Sequence, residues 1–265
     1  FKFSTLITQI LSVIRLFFIL SVLFVLHNEN MDNLYLAVII YLTAPILVYY
    51  DNQINPRIFG AILLDFLVVM FLGYFEYNLI YLIAPLVFLS TILLFTHKMS
   101  HQLYFFLILG ISLYYFSFTP ILIYLFSSLA ALLFNYKNYL KAHIDIILFW
   151  HRNRYKLGAH QFYESKIYGK KGFISQNRIH GDGIKFILKK IALIVGMFPF
   201  LIFIIPNFEL NYFGMIVIIT TIFILLTSFI KPFFCLGAGF LYTYNLVSFI
   251  IFYIFSIKKY YFAFN

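Results

Sequence analysis

The stretch RIHGDGIKF, residues 178–186, holds the residue types that phosphate chemistry requires. Arg178 and Lys185 can neutralise a phosphate, the arginine through a planar fork that binds two oxygens at once. His180 titrates near neutral pH and can act as general acid or base, and Asp182 stands beside it as the second candidate catalytic group. Gly181 and Gly183 leave the backbone free to approach an anion. The plainer alternative is a loop ahead of a helix, because Gly and Asp are also what such loops contain.

Two charges interrupt long apolar runs. Arg15 lies in TQILSVIRLFFILSV and Asp65 in GAILLDFLVVMF. A charge at the centre of a bilayer costs a few kcal/mol at least, so each should face the protein interior or a polar cavity. The expectation is a buried Arg15–Asp65 pair, or a contact from Arg15 to an anionic substrate. The alternative is that Arg15 snorkels to an interface. A third candidate is YYDNQINPR, residues 49–57, where Asp51 with Asn52, Asn55 and Arg57 can hold a Mg²⁺–phosphate group. One carboxylate is few for such a site, and a turn around Pro56 explains the same residues. The candidate set is then His180 and Asp182 as catalytic groups, and Arg15, Asp51, Arg178 and Lys185 as phosphate or substrate ligands. Asp65 is the intramembrane polar partner. His143, His151 and His160 share no ligand spacing with a carboxylate, so no metal site is expected, and no cofactor is indicated. Walker A, GxSxG, HExxH and GxGxxG patterns are absent from the sequence.

Composition dictates the elements that must carry these residues. Apolar residues make up 63% of the 265, charged residues 11%, and mean hydropathy is +0.96. Soluble domains carry roughly 25% charge, so this chain cannot cover a water-facing surface and its solvent must be lipid. The expected fold is all-α: a polytopic integral membrane protein, residues 1–265 forming one transmembrane domain. Polar punctuation predicts about nine transmembrane helices, over 3–26, 34–50, 58–75, 79–95, 103–116, 120–136, 191–206, 213–230 and 234–257, with a basic interfacial loop over 137–190. The division between the fifth and sixth spans rests on Ser117, Thr119 and Pro120. Pro45, Pro85 and Pro199 are the candidate kinks. The run from Phe3 to Leu26 is too long for a signal h-region and lacks a small-residue cleavage site, so it reads as a span. Because the sequence opens on Phe1, a fragment or processed form is expected. A single cysteine, Cys235, leaves no internal disulfide.

Charge sets the orientation. Lys or Arg occurs at the N-terminus (Lys2) and in the second (Arg57), fourth (Lys98), sixth and eighth (Lys231) connectors, and in none of the odd ones. The sixth connector, 137–190, holds twelve. The positive-inside rule places that loop in the cytoplasm. It should open with an interfacial helix, since Leu140, Ile144, Ile147 and Leu148 recur at helical spacing and Trp150 suits the headgroup level. Lys258 and Lys259 break the pattern: either a re-entrant turn lies near Gly237 and Gly239, or the last span differs from 234–257, or two lysines are tolerated on the outer side.

The layout of nine spans with cytoplasmic second and sixth connectors is similar to that of intramembrane prenyltransferases. That family carries two Asp-rich motifs at those connectors. Here each is reduced to one residue, Asp51 and Asp145, so the resemblance is one of layout and not of catalytic pattern. Three functions remain. The first is action on a lipid-linked anionic substrate at the cytoplasmic face, in envelope lipid or glycan biosynthesis. The second is a non-enzymatic subunit of a larger membrane complex, such as a respiratory assembly. The third is a transporter. Expected partners are membrane lipids and other membrane subunits, with no nucleic acid. The expected location is a bacterial cytoplasmic membrane or an organellar inner membrane.

Overall fold

No glycine or proline occurs between Lys2 and His27, and this run forms one uninterrupted helix, α1 (Lys2–His27). A computed structural model of the chain describes residues 2–27, 31–51, 57–96, 98–153, 184–200, 210–230, 233, 236 and 239–263. Helices follow in the order α2 (Met31–Thr43), α3 (Pro45–Asp51), α4 (Arg57–Glu76), α5 (Ile83–Phe95), α6 (Lys98–Tyr114), α7 (Thr119–Asn153), α8 (Ile184–Met197), α9 (Tyr212–Phe229) and α10 (Thr243–Ala263). Short 3₁₀ turns, Ile80–Leu82 and Gly239–Tyr242, lead into α5 and α10. No strand occurs among the described residues.

The prolines act according to position. Pro45 splits the expected span 34–50: the residue before a proline is driven out of the helical region, so α2 stops and Ala44 forms the joint between α2 and α3. Pro85 lies in the first turn of α5, where its missing N–H is no loss. Pro199 falls in the turn that ends α8. That helix begins at Ile184, seven residues before the expected start at 191, and the rest of the expected span, 201–206, lies outside the described residues. The fifth and sixth spans do separate, at Phe116, whose φ of 48° is the left-handed region that reverses the chain. α7 continues into the predicted interfacial helix as far as Asn153, with a kink at Asn135 (φ −154°, ψ 60°) where the apolar segment gives way to the basic one.

Among the described residues, four helical segments are long and apolar enough to cross a membrane: Leu6–Val25, Arg57–Glu76, Tyr212–Phe229 and Gly239–Ile257. Met31–Thr43, Ile80–Phe95 and Thr119–Asn135 are shorter and apolar. Their outer faces carry large bare side chains, among them Phe17, Phe24, Leu133 and Phe134, the last two about four-fifths exposed (80% and 81%). Water would not tolerate such faces, whereas acyl chains would, so the helices fit a membrane protein. α10 lies at the centre. Tyr244, Val247, Phe249, Ile250, Ile251 and Phe252 on successive sides of it are buried, as expected for a helix apolar all round.

Side-chain contacts define two ends of this bundle. At one end, Gly60 of α4 meets Ser100 of α6, and Gln102 of α6 accepts a hydrogen bond from the Tyr242 hydroxyl (2.8 Å). Gly239 packs on Ser228 of α9, and Lys190 of α8 donates to the Ser228 carbonyl (2.7 Å). Arg57 and Lys98, which open α4 and α6, belong to this basic end. At the other end, the Tyr115 hydroxyl donates to Glu76 (2.7 Å), Tyr115 lies against Tyr212, and Asn211 donates to Ser256 (2.8 Å). Asn211 also caps α9, its side-chain oxygen accepting from the Gly214 N–H. α10 therefore runs from the basic end to the tyrosine end with the Gly239–Tyr242 turn leading straight into it, and Lys258 and Lys259 follow Ser256 at the tyrosine end. Most of residues 231–238, where a re-entrant turn is one of the expectations, lies outside the described residues.

These ends give the topology a direct test. In a Cys235→Ser background, Ser175→Cys is expected to resist an impermeant thiol reagent in intact cells, while Asn28→Cys and Asn207→Cys should label. Labelling at position 175 would overturn the orientation.

Candidate functional site

Arg15 and Asp65 meet in the interior, both fully buried. The Arg15 Nε donates to Asp65 Oδ2 at 2.7 Å and Nη2 reaches Oδ1 at 3.4 Å. Helix α10 closes the cluster from its third side. Arg15 Nη2 donates to Ser248 Oγ (2.9 Å), Nη1 donates to the Tyr244 carbonyl (3.2 Å), and Ser248 Oγ donates to Asp65 Oδ1 (2.5 Å). The guanidinium lies 5.2 Å from the Tyr244 ring centre, within cation–π range. Position 15 lies midway along α1 and position 65 midway along α4, and both meet the first two turns of α10, which carry Tyr244 and Ser248. The charges are brought in by the chain and neutralised by the chain. Both carboxylate oxygens and all three guanidinium nitrogens have partners, so an anionic substrate would have to displace Asp65 to reach Arg15.

A second polar set ties α5, α6 and α7 together. The Tyr104 hydroxyl shares a hydrogen bond with Ser90 Oγ (2.5 Å), His101 Nε2 lies 2.9 Å from the Tyr124 hydroxyl, and Ser127 Oγ reaches the Ile123 and Val87 carbonyls (2.7 and 3.1 Å). Small polar residues at helix contacts allow close backbone approach in a bilayer, which is their role for Ser90, Thr91 and Ser127.

The tyrosine end is an aromatic cluster around one carboxylate. The rings of Phe75 and Tyr115 stack at 4.1 Å with 10° between planes, and Tyr114 and Tyr115 both lie beside Tyr212. Tyrosine enrichment at headgroup level is the usual arrangement at a membrane interface. Glu76 is the carboxylate of this end, opposite the basic one.

Of the remaining expected site residues, Lys185 lies exposed in the first turn of α8, and Asp51 closes α3. His180, Asp182 and Arg178 fall outside the described residues. Among the described residues no group of three His, Cys, Asp or Glu side chains could hold a metal ion. Two partners escaped sequence reasoning: Ser248 and the Tyr244 carbonyl. Ser248 had a faint signal as a lone hydroxyl in the run NLVSFIIF; a backbone carbonyl has none. The chain matches no known protein family, no curated protein and no solved structure.

Proposed function

We propose that the chain is a multi-pass protein of a bacterial cytoplasmic or organellar inner membrane, with about nine spans, acting on a lipid-linked anionic substrate at the cytoplasmic face. A polyprenyl-phosphate sugar or a phospholipid is the substrate class, and envelope lipid or glycan biosynthesis the setting. The observation that supports this reading is the segregation of charge. Arg57 and Lys98 open α4 and α6 at one end, Lys185, Lys189 and Lys190 lie in the first half of α8, and Lys190 reaches the end of α9 on that side, while the opposite end carries Glu76 and tyrosines. A basic surface at headgroup level attracts phosphate. On this reading Arg178 and Lys185 neutralise the substrate phosphate, and His180 with Asp182 handles the proton.

The test compares charge with position. If the connector only orients the protein, its cations are interchangeable. If RIHGDGIKF is a phosphate-handling site, Arg178→Lys, which keeps the charge but loses the fork, and His180→Gln, which loses the titratable proton, should each abolish complementation of a deletion strain at normal membrane levels. Lys170→Ala with Lys171→Ala should be tolerated. Full complementation by both conservative variants would remove the enzymatic reading.

A second reading, a non-enzymatic subunit of a larger membrane complex, is favoured by the closure of the Arg15 cluster, since the two buried charges among the described residues satisfy each other. Co-purification of stoichiometric partner chains in mild detergent would favour it.

A further inference from the structure

Helix α8 divides its surface into three faces. One packs inward: Ile194 is buried, and Lys190 donates to the Ser228 carbonyl and lies 5.5 Å from the Phe229 ring centre. The cation thereby sits at the C-terminus of α9, where it offsets the negative end of that helix. A second face is apolar and bare. Ile184, Leu188 and Ile191 recur at i, i+4 and i+7, and they are 75%, 60% and 43% exposed. The third face, next to the apolar one, presents Lys185 and Lys189, both exposed and one turn apart. Side chains four apart on a helix stand ~5–6 Å from each other at Cβ, close enough to share one phosphate group.

We propose that α8 is the seat of a single anionic lipid, its phosphate held between Lys185 and Lys189 and its acyl or prenyl chain laid along Leu188 and Ile191. This rests on the reading of the substrate as a lipid phosphate and deepens it by locating the lipid portion. The juxtaposition of faces selects the occupant. Lys185 and Lys189 lie toward the basic end of the helix, at headgroup depth, and the apolar face runs from beside them toward the bundle's middle. A lipid satisfies both faces with one molecule, whereas free phosphate would leave the apolar face bare. Fourteen residues of helix span about 21 Å, shorter than the ~30 Å hydrocarbon core, so the lysines at its start remain near the interface and their stems snorkel outward.

The experiment is lipid binding to the intact protein by native mass spectrometry from nanodiscs, comparing phosphatidylglycerol with phosphatidylcholine. The wild type is expected to retain one phosphatidylglycerol in preference to phosphatidylcholine. Lys185→Gln with Lys189→Gln should lower that preference roughly 30-fold, each lysine near the surface being worth about a factor of five. Lys185→Arg with Lys189→Arg should keep it. Leu188→Ser with Ile191→Ser, which leaves the charges in place, should also weaken retention. An equal loss from the exposed control Lys141→Gln, or a retention unchanged by the double glutamine or the double serine variant, would overturn the proposal. If inorganic phosphate at millimolar concentration displaces the lipid fully, the site is one for phosphate alone and the proposal also falls. Should the glutamine double variant be lost during purification, the two single glutamine variants are read instead, with an expected fivefold loss each. None of these measurements depends on turnover. Failure here leaves the His180 and Arg178 test standing, and failure of that test leaves lipid retention to be measured in its own right.

Discussion

Arg15→Leu and Asp65→Leu are each expected to destabilise the protein by roughly 3–5 kcal/mol, and the double variant to be milder than either single one. The reasoning is that a lone charge left in a buried, low-dielectric site loses its partner and cannot regain water. Removing both charges removes the penalty along with the attraction. Here the partners are well placed, with a 2.7 Å contact, a second at 3.4 Å and Ser248 bridging to both residues. Ser248→Ala should cost less, about 1.5–3 kcal/mol, because it removes hydrogen bonds to charged groups while leaving the ion pair intact. Arg15→Lys should fall between wild type and Arg15→Leu, since an ammonium keeps the charge but cannot reach Asp65, Ser248 and the Tyr244 carbonyl together. Thermal unfolding in nanodiscs and the steady-state level in membranes give the readout. Equal stability for the three leucine variants would mean that Arg15 reaches an interface instead of the core.

That pair also marks what the sequence could reveal. Arg15 and Asp65 are the charges inside the predicted spans, and two opposite charges stranded in lipid have every reason to meet. The apolar helices were legible because apolar runs and polar punctuation need no tertiary information. The break at Pro45 was legible for the same local reason. What closes the pair was not. Whether Ser248 faces Asp65 depends on the rotation of α10 about its axis, and that rotation is set by contacts along its whole buried length. The early start of α8 was hidden too. Lys185, Lys189 and Lys190 read as loop residues on charge alone, yet in the fold Lys190 is spent on the end of α9 and the other two flank an apolar face. The pairing of helix ends across the bundle, such as Gln102 with Tyr242, leaves no trace in either partner's local sequence.

The second large effect is expected at Gly239, where the lead-in to α10 crosses the end of α9. A Cβ at that position would stand 1.9 Å from Ser228 Oγ, 3.0 Å from Thr227 Oγ1 and 2.3 Å from the Ile224 carbonyl oxygen. The hydroxyls can rotate away, but the carbonyl is part of the α9 backbone and cannot. Gly239→Ala should therefore cost about 1–3 kcal/mol by overpacking, with Gly239→Leu worse. Ser228→Gly placed on Gly239→Ala relieves the first contact only, so rescue should be partial. The strain should also spread in a defined direction. Pushing the turn off α9 separates Tyr242 from Gln102, a 2.8 Å hydrogen bond, so Gln102→Ala should add little further loss in the Gly239→Ala background although it costs stability in the wild type. A double-mutant cycle on thermal stability in detergent reads this coupling. By contrast, Gly196→Ala has open space around its Cβ and should be neutral or slightly stabilising in α8, which separates a packing effect from a general intolerance of replaced glycines. If Gly239→Ala proves as stable as Gly196→Ala, the close approach of α10 to α9 is wrong, and with it the assignment of Gly239 and Ser228 to the same end of the bundle.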